Sequence, residues 1–426
     1  MRQVEIGFLG FGNIGEGVWR LLEEMRGETA RREGISFEVR RVLVRDVHRQ
    51  RGVEVPQGVL TDRPEDVLDD PDVQIVMEFM GGEQPAADYI ERALLAGKSV
   101  VTANKMALST HWARLNAAAQ RGGAGLYFEA SVCGAIPVIR AMTDSLQANR
   151  VERLMGIING TTNYILTRMT REGSRFEDVL QDAQRLGLAE PDPTADVEGY
   201  DAAYKLSILA SLAFYTHVPV ESVYREGITR VSPIDIACGQ EMGLTLKLLA
   251  VAKRNGDAVE ARVHPTFVPS THPLANVSDA FNAVFLRGHA CGELMFYGRG
   301  AGDMPTASAL VSDLIKAAGA QRHALPAFFD AADGVHIEED WSSVYFIRTR
   351  ATDKPGVLAH VAGCMAGHGV GIASMVQKGA PDADGRVQIV FVTHRAHEQA
   401  VMSALEEVNR SGRTRVESVI RVEGVE

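Results

Sequence analysis

The sequence predicts an α/β protein in three parts: a doubly wound parallel sheet first, a mixed α/β region next, and a ferredoxin-like βαββαβ module last. Three observations lead to this prediction. Short apolar runs alternate with helix-length segments from residue 4 onward, which is typical of parallel sheets. The pattern changes near residue 150, where clusters of small polar residues follow the strands. From residue 344, strand and helix patterns follow one another in βαββαβ order.

Composition limits the classes of partner. The 426 residues are enough for two or three domains. The net charge of -11 argues against nucleic acid or an anionic membrane surface as the main partner. We find no signal peptide and no run of about 20 apolar residues, so we expect a cytoplasmic protein. The cysteines form no CxxC pair, which favours a reducing compartment without disulfides or zinc: Cys133, Cys238, Cys291 and Cys364.

The first predicted strand, Val4–Leu9, runs directly into a GxGxxG pattern and then a helical pattern. Gly10 permits a tight turn, Gly12 lets backbone N–H groups approach a pyrophosphate, and Gly15 lets the helix pack closely on the strand. This context predicts a Rossmann-type dinucleotide site. The alternative is a plain glycine-rich turn.

The second strand, residues 37–44, ends at Arg45 and Asp46, where the adenosine ribose is read in such folds. A carboxylate at this place favours NAD, and an arginine favours the 2′-phosphate of NADP. Because Arg49 and Arg51 follow, we favour NADP or use of both cofactors. The alternative is that Asp46 caps a turn and the arginines are solvated.

Further strands are predicted at residues 73–80, 99–102 and 125–130. The second of them leads into Lys105, and a lysine at the carboxyl end of a parallel strand lies where open α/β sheets bind ligands. The alternative is an ordinary loop lysine. The third strand is followed by a turn rich in glycine and proline and by a helix at 136–146.

In the middle region, a strand at 151–158 ends in a cluster of small hydrogen-bonding residues that begins a helix at Tyr164. A second glycine-rich turn opens a helix with Pro305 at its first position. Residues 322–341 read as a linker. In the last module we expect strands at 344–350, 371–377, 387–393 and 416–422 and helices at 357–368 and 397–409.

The stretch Gly187–Leu209 is an acidic loop broken by prolines that runs into a helix. The helix places Asp201 and Lys205 on one face, because positions four apart are neighbours. We interpret the stretch as the place where a small polar substrate is held and gains or loses a proton. The alternative is an exposed acidic loop with one helical ion pair worth about 0.3 kcal/mol. The loop contributes four further carboxylates that we expect to face the lysine: Glu190, Asp192, Asp196 and Glu198.

With these pieces placed, the whole chain resembles homoserine dehydrogenase in its long form with a C-terminal ACT module. Six motifs carry the resemblance, in order: GFGNIGEGV, TANK, FEASVCGAIP, INGTTNYIL, GLAEPDPTADVEGYDAAYKLSIL and GRGAGDMPTASA. It implies NAD(P)-linked interconversion of L-homoserine and L-aspartate 4-semialdehyde, on the route to threonine, methionine and isoleucine. It also implies a Rossmann-type domain at 1–130, a mixed α/β catalytic and dimerisation domain at 131–335, and an ACT domain at 343–426.

The resemblance assigns roles to individual residues. Lys205, or a water that it polarises, would donate the proton, while Lys105 would contact the substrate oxygen and the cofactor. Asp201 would hold the substrate and orient Lys205. The remaining substrate contacts would be Glu190, which takes the α-ammonium group, Asp196, Thr161 and Thr162. NADP or NAD would be bound by Gly10, Phe11, Gly12, Asn13, Ile14, Gly15, Arg45, Met80, Lys105, Gly187 and Gly302.

The resemblance also implies a monovalent cation, Na⁺ or K⁺, held mostly by backbone carbonyls. Its ligands would be Glu129, Val132, Gly134 and Ile136. The ACT module implies sensing of an amino acid, usually threonine, near residues 353–356 and 367–369, in a homodimer or homotetramer. Two alternatives stay open: a non-catalytic amino-acid sensor on the same folds, and a different NAD(P)-linked amino-acid oxidoreductase.

Overall fold

A computed structural model describes residues 1–319 and 336–424, which belong to two compact units. In the part of the chain it describes, no helix has the length and apolar character needed to cross a membrane. The first unit comprises Met1–Leu154, Ala203–Val223 and the described part of Asn282–Val335, and the second comprises Met155–Ala202, Tyr224–Phe281 and the described part of His336–Glu426.

The helices of the described ranges have the following bounds. They are α1 Asn13–Glu33, α2 Glu65–Leu68, α3 Ala86–Leu95, α4 Lys105–Gly122, α5 Val138–Arg140, α6 Gly160–Glu172, α7 Phe176–Arg185, α8 Thr194–Val197, α9 Tyr200–Phe214, α10 Pro233–Glu241, α11 Asp303–Gly319, α12 Val357–Gly367 and α13 Glu398–Arg410. Short 3₁₀ turns lie at Glu129–Ser131, Val220–Ser222 and Pro273–Asn276, and a π-helical turn lies at Ala141–Ser145.

The strands of the same ranges are given in chain order. They are β1 Arg2–Leu9, β2 Ile35–Leu43, β3 Leu60–Thr61, β4 Ile75–Glu78, β5 Ser99–Thr102, β6 Leu126–Tyr127, β7 Val151–Ile157, β8 Tyr224–Arg225, β9 Leu244–Asn255, β10 Ala258–Pro269, β11 Phe281–Gly288, β12 Gly292–Arg299, β13 His336–Ile337, β14 Ser342–Thr352, β15 Ile372–Lys378, β16 Arg386–Thr393, β17 Ala396–His397 and β18 Thr414–Val422.

The first unit contains a six-stranded sheet in the order β3-β2-β1-β4-β5-β6, and every pairing in it is parallel. The strand order reverses direction between β1 and β4, and ligands of doubly wound sheets bind at such a switch point, beyond the carboxyl ends of the strands. The predicted doubly wound sheet is therefore confirmed.

The core of the first unit forms because β1 is apolar on both faces, as a central parallel strand must be. Val4, Ile6 and Phe8 are fully buried. Helix α11, which comes from much later in the chain, contributes the fully buried Leu310 and Leu314 to the same core. The sheet thus depends on a helix that lies outside the first 130 residues.

In the second unit, β14, α12, β15, β16, α13 and β18 form the predicted βαββαβ module, which has its own apolar core. The long antiparallel hairpin of β9 and β10 precedes it. Strand β10 pairs in parallel with β18, Thr266 opposite Arg421 and Phe267 opposite Val422. The terminal module and the hairpin therefore share one sheet.

Several predicted bounds were wrong for local reasons. The strand predicted at 125–130 ends at Tyr127, because Glu129–Ser131 turn as a 3₁₀ helix. The helix predicted at 136–146 is only three residues of α-helix followed by a π-helical turn. Pro305 is the third residue of α11, not the first.

The linker predicted at 322–341 lies mostly outside the described residues. Its described end includes β13, which pairs with β10, His336 opposite Ala258. At least this part of the predicted linker is therefore structured.

Candidate functional site

The glycine-rich turn at the end of β1 has the geometry that its pattern predicts. Gly10 has φ +95°, and a Cβ there would lie 3.1 Å from the Met80 Cα. A Cβ on Gly15 would lie 2.9 Å from the Phe79 ring, so this glycine permits the close packing of α1. Gly12 caps α1 without a side-chain hydrogen bond, and a Cβ there would meet no atom within 4 Å. The helix N-terminus therefore faces open space, as an anion site requires.

The segment after β2 keeps cationic groups near this turn. The Arg51 guanidinium donates to the carbonyl oxygens of Asp46 (2.7 Å) and Arg49 (2.6 Å) and lies 5.9 Å from the centroid of the Phe11 ring. The Asp46 carboxylate accepts from the His48 N–H at 2.8 Å, as a turn cap does. Arg45 is exposed. The carboxylate is thus engaged locally, whereas the Arg45 side chain is exposed beside it.

Glu78, at the carboxyl end of β4, is a buried residue that the sequence analysis did not single out. Its carboxylate accepts from the Thr102 hydroxyl (2.5 Å), the Met80 N–H (2.7 Å) and the Asn104 amide (3.4 Å). Burial raises the pKa of Glu78 above its usual range. The available signal was a single charged residue in the mostly apolar run VQIVMEFM.

The same network fixes Lys105, the first residue of α4. Asn104 caps this helix by accepting from the Ala107 N–H at 3.0 Å, and its amide donates to the Gly82 carbonyl at 2.8 Å. Lys105 is half-buried at the carboxyl edge of the parallel sheet, where the sequence placed it. Glu78 and Asn104 therefore hold in place the loop that leads into Lys105 and the start of α4.

One of the predicted cation ligands, Glu129, belongs to a buried cluster of charged groups. The Glu129 carboxylate accepts from the N–H groups of Ile139 (2.9 Å) and Arg140 (2.7 Å), and the Glu129 N–H donates to Asp313 (2.8 Å). The Arg140 guanidinium pairs with Asp313 at 2.7 Å. Burial, helped by Asp313, raises the pKa of Glu129 to about 7, and burial raises the pKa of Asp313. The Arg140 guanidinium thus pairs with Asp313, while two backbone N–H groups hold the Glu129 carboxylate.

The turn that follows Glu129 is tightly constrained. Cys133 and Gly134 both have positive φ, at 56° and 51°. A Cβ on Gly134 would lie 2.8 Å from the Gly300 carbonyl oxygen. No group of three His, Cys, Asp or Glu residues suitable for a metal ion occurs in residues 1–319 and 336–424. An ion at this turn would therefore depend on backbone carbonyls and one carboxylate, the donor set that the sequence predicted.

In the second unit, Asn159 forms hydrogen bonds with two of the carboxylates that are predicted to bind the substrate. Its amide nitrogen donates to Asp196 (2.7 Å) and to Asp201 (2.9 Å), while its amide oxygen accepts from the Thr162 N–H (2.9 Å) and so caps α6. Asp201 is only 6% exposed. The cluster of small polar residues around position 159 is visible in the sequence, but Asn159 itself was not predicted to belong to the site. The Asn159 cap also explains why α6 begins at Gly160.

The other acidic residues of the loop divide between different tasks. Asp192 accepts from the N–H (3.1 Å) and hydroxyl (2.6 Å) of Thr194, the first residue of α8. Glu198 accepts from the Thr229 hydroxyl at 2.9 Å. Glu190 is exposed. The prediction that five carboxylates face one lysine was therefore too broad, because Asp192 and Glu198 have structural partners of their own.

Two more of the predicted site residues lie beside the same loop. The Thr161 hydroxyl donates to the Leu188 carbonyl at 2.8 Å, which ties the start of α6 to the turn after α7. Gly187, in that turn, has φ +72°, a conformation that favours glycine. Gly302, in the first unit, has φ +116° just before α11.

Helix α9 carries Asp201 in its first turn and Lys205 one turn later. A carboxylate in the first turn of a helix is stabilised by the helix dipole. Lys205 is half-buried. Lys105 and Lys205 both belong to the first unit, and Asp196 and Asp201 to the second.

Comparison with protein families matches successive stretches of the chain. The family described as "Homoserine dehydrogenase, NAD binding domain" matches residues 10–129, and "Homoserine dehydrogenase" matches residues 137–315. "ACT domain" matches residues 345–410. Together these matches follow the order of the predicted parts.

Individual relatives match over nearly the full length. Homoserine dehydrogenase of Mycobacterium bovis is 45% identical over 438 residues, which cover 99% of this chain and 98% of that protein. The Bacillus subtilis enzyme is 39% identical over 431 residues, covering 100% and 99%. A solved homoserine dehydrogenase from Thiobacillus denitrificans has a TM-score of 0.92 at 39% identity and covers 99% of each chain. A hyperthermophilic archaeal homoserine dehydrogenase in complex with NADPH covers 74% of this chain and 98% of its own, with 26% identity and a TM-score of 0.62.

Proposed function

Because this chain belongs to the homoserine dehydrogenase family, we propose that Lys205, Lys105 and Asp201 carry that family's reaction here. The chain is an NAD(P)-dependent oxidoreductase with a C-terminal ACT domain. It interconverts L-homoserine and L-aspartate 4-semialdehyde. The observation that carries the residue assignment is the Asn159 amide, which holds Asp196 and Asp201 together one turn before Lys205.

The acidic pair binds the amino-acid end of the substrate in this proposal. Asp196 and Asp201 each accept a hydrogen bond from Asn159, so their carboxylates are oriented before substrate arrives. Oriented acceptors cost less to organise on binding. Glu190, exposed on the same loop, takes the α-ammonium group, and Thr161 and Thr162 line the substrate pocket. The Thr161 hydroxyl also donates to the Leu188 carbonyl at the start of the loop.

The two lysines act on the oxygen that changes charge. The nicotinamide cofactor supplies or accepts the hydride at C4 of the substrate. During reduction the aldehyde oxygen gains negative charge, which an ammonium group stabilises. Lys205 gives this oxygen its proton, directly or through a water that it polarises, and takes the proton back during oxidation. Lys105 contacts the same oxygen and the cofactor, and Asp201 orients Lys205.

For the cofactor we propose NADP as the preferred form, bound along Gly10–Gly15 with Met80, Gly187 and Gly302 as further contacts. The capping of a turn by Asp46 and the exposure of Arg45 support this preference, because an arginine suits the 2′-phosphate. The NADPH complex of the archaeal relative agrees with it.

We also propose a Na⁺ or K⁺ ion held by the Glu129 carboxylate and by carbonyls of Val132, Gly134 and Ile136. The buried acidic cluster around Glu129 has more negative than positive charge when ionised, which supports this proposal. The ion would brace the turn and supplies no chemistry to the hydride step.

Regulation and assembly complete the proposal. A cavity of 330 Å³ includes the predicted effector turn, with Asp353, Lys354 and Gly356 among its lining residues, so it is a candidate site for threonine. We propose a homodimer or homotetramer, with domain limits at 1–130, 131–335 and 343–426. None of the four cysteines forms a disulfide, which supports a reducing, cytoplasmic setting.

The test is oxidation of L-homoserine by the full-length chain with NADP and with NAD, followed by the absorbance of the reduced cofactor. We expect turnover with both cofactors, a lower KM for NADP, and no comparable turnover of D-homoserine or L-serine. Cofactor binding without turnover would favour the non-catalytic sensor. Faster turnover of another amino alcohol would favour a different oxidoreductase.

A further inference from the structure

Three residues of the second unit, Glu198, Gly199 and Tyr200, form the turn through which the acidic loop passes into α9. We call it the α9 turn. Gly199 has φ +79°, a conformation that favours glycine. Asp201 follows directly, and its carboxylate accepts from the Asn159 amide at 2.9 Å. The conformation of the α9 turn therefore decides where the backbone of Asp201 lies.

The side chain of Arg225 contacts every residue of the α9 turn. The carbon of its guanidinium lies 3.4 Å from the centroid of the Tyr200 ring, and the same guanidinium donates to the Glu198 carbonyl at 2.6 Å. A Cβ on Gly199 would lie 3.3 Å from the Arg225 Cγ, so this glycine lets the arginine stem pass close to the backbone. The turn is thus held by a cation–π contact and by a charge-assisted hydrogen bond from one side chain.

The backbone of Arg225 is fixed to the large sheet. It lies in β8, which pairs in parallel with β10, Arg225 opposite the fully buried Val263. The Glu226 N–H donates to the Val263 carbonyl at 2.8 Å, and the Ile228 N–H donates to the Val197 carbonyl at 2.8 Å. Arg225 therefore reaches the α9 turn from a rigid strand, and the same segment also holds the end of α8.

The charge of Arg225 has no other partner among residues 1–319 and 336–424, where no carboxylate forms an ion pair with it. Its guanidinium is therefore directed at the Tyr200 ring and the Glu198 carbonyl alone. Tyr200 is 42% exposed, so burial in the core does not by itself hold its ring. A lysine would keep the charge but not the planar guanidinium that stacks on a ring while it donates sideways.

We propose that Arg225 is a positioning residue for the reaction, which holds the α9 turn so that the Asp201 carboxylate stays where the substrate meets it. Asn159 holds the carboxylate itself, and Arg225 fixes the backbone that precedes it. Such support matters because a misplacement of about 1 Å can cost roughly 10²-fold in rate. The effect on activity rests on the proposed function of Asp201, whereas the contacts of Arg225 with the turn do not.

The test is the oxidation of L-homoserine by full-length Arg225→Ala, with KM and kcat determined separately at saturating NADP. We expect the KM for L-homoserine to rise about tenfold, because the carboxylate that holds the substrate is displaced. The kcat should stay within about threefold of native, since Lys205 lies one turn further along α9. Arg225→Lys keeps the charge and should have an intermediate KM. Arg230→Ala, an exposed arginine of the same segment, is the matched control and should keep the native KM.

A second variant tests the stacking contact from the side of the turn. Tyr200→Leu removes the ring, and we expect it to raise the KM less than Arg225→Ala does, because the hydrogen bond to the Glu198 carbonyl remains. The double variant should have the KM of Arg225→Ala alone, since residues that form one contact are not additive. A double variant whose change in KM is the product of the two single changes would overturn the stacking contact as the cause.

Hydrogen exchange of residues 194–202, measured without substrate, separates this inference from the proposed function. The amides of this segment, such as the Gly199 N–H that donates to the Asp196 carbonyl at 3.0 Å, should exchange faster in Arg225→Ala than in the native protein or Arg230→Ala. A native protein that does not oxidise L-homoserine would contradict the proposed function, and exchange would then decide whether Arg225 holds the turn. A native KM in Arg225→Ala would overturn the positioning role, and native exchange rates would overturn the hold on the turn.

Discussion

Replacing Asn159 with aspartate tests the acidic pair while keeping the helix cap. The native amide oxygen caps α6 through the Thr162 N–H at 2.9 Å, and a carboxylate oxygen does this equally well. The native amide nitrogen donates to Asp196 at 2.7 Å and to Asp201 at 2.9 Å. In Asn159→Asp both donated hydrogen bonds disappear, and a third carboxylate faces the other two.

The expected loss follows from these contacts. A hydrogen bond to a charged group contributes about 1.5–3 kcal/mol, and two are removed together. Some of this loss is recovered when one of the three carboxylates takes up a proton, since like charges raise a pKa. A remaining penalty of about 3 kcal/mol corresponds to a fall of roughly 10²-fold in kcat/KM for L-homoserine.

The assay compares native protein, Asn159→Asp and Asn159→Ser across pH, with cofactor Kd measured separately. Serine keeps a capping oxygen but adds no charge, so Asn159→Ser should lose less activity than Asn159→Asp. Asn159→Asp should recover activity partly as the pH falls, because protonation removes the repulsion. A kcat/KM within threefold of native in Asn159→Asp, with no change in the pH profile, would refute this reasoning.

The remaining predictions concern the first unit. Glu78→Leu removes the acceptor of three buried donors and should lower the free energy of unfolding by about 3 kcal/mol, measured in urea; a loss below about 1 kcal/mol would contradict it. Gly12→Val should fold normally, because a Cβ there meets no atom, yet lose NADP binding in a fluorescence titration, whereas Gly27→Val, also in open space, should bind it. The pKa of Glu129, raised from 4.5 to about 7, gives the folded state extra stability that is complete below pH 4.5 and lost as the pH rises through about 7. Glu129→Gln should flatten this decline, and Na⁺ or K⁺ should raise the Tm of the native protein above pH 7 relative to choline; equal Tm values in the three salts would remove the cation.

The parts of the fold that the sequence predicted depend on local patterns. Strand β5 has the predicted bounds because its apolar run ends at Thr102 and the polar residues Asn104 and Lys105 follow shortly after. The glycine turn was predictable because only glycine suits φ +95° at position 10 and the close packing at position 15. The βαββαβ module was predictable because strand patterns and helix patterns follow one another along this part of the sequence.

The parts that were not predicted depend on contacts between distant residues. Asn159 binds Asp196 and Asp201, which lie 37 and 42 positions away. Glu78 meets Thr102 across 24 positions. A single sequence shows that such residues are polar, but it does not show which partner each one meets.

The acidic loop shows the same limit of prediction from a single sequence. Its charge pattern indicated a site, yet composition alone did not separate the carboxylates that converge on Asn159 from those that bind Thr194 or Thr229. That separation required the positions of backbone N–H groups and hydroxyls in three dimensions.

The measurement that tests the central claim most directly is the turnover of Lys205→Ala. Removing the proton donor should lower kcat by roughly 10²-fold or more, while the Kd for NADPH stays within about twofold of native. Lys354→Ala, an exposed lysine of the terminal module, serves as the control and should keep native turnover. A Lys205→Ala protein that turns over L-homoserine at the native rate would contradict the account.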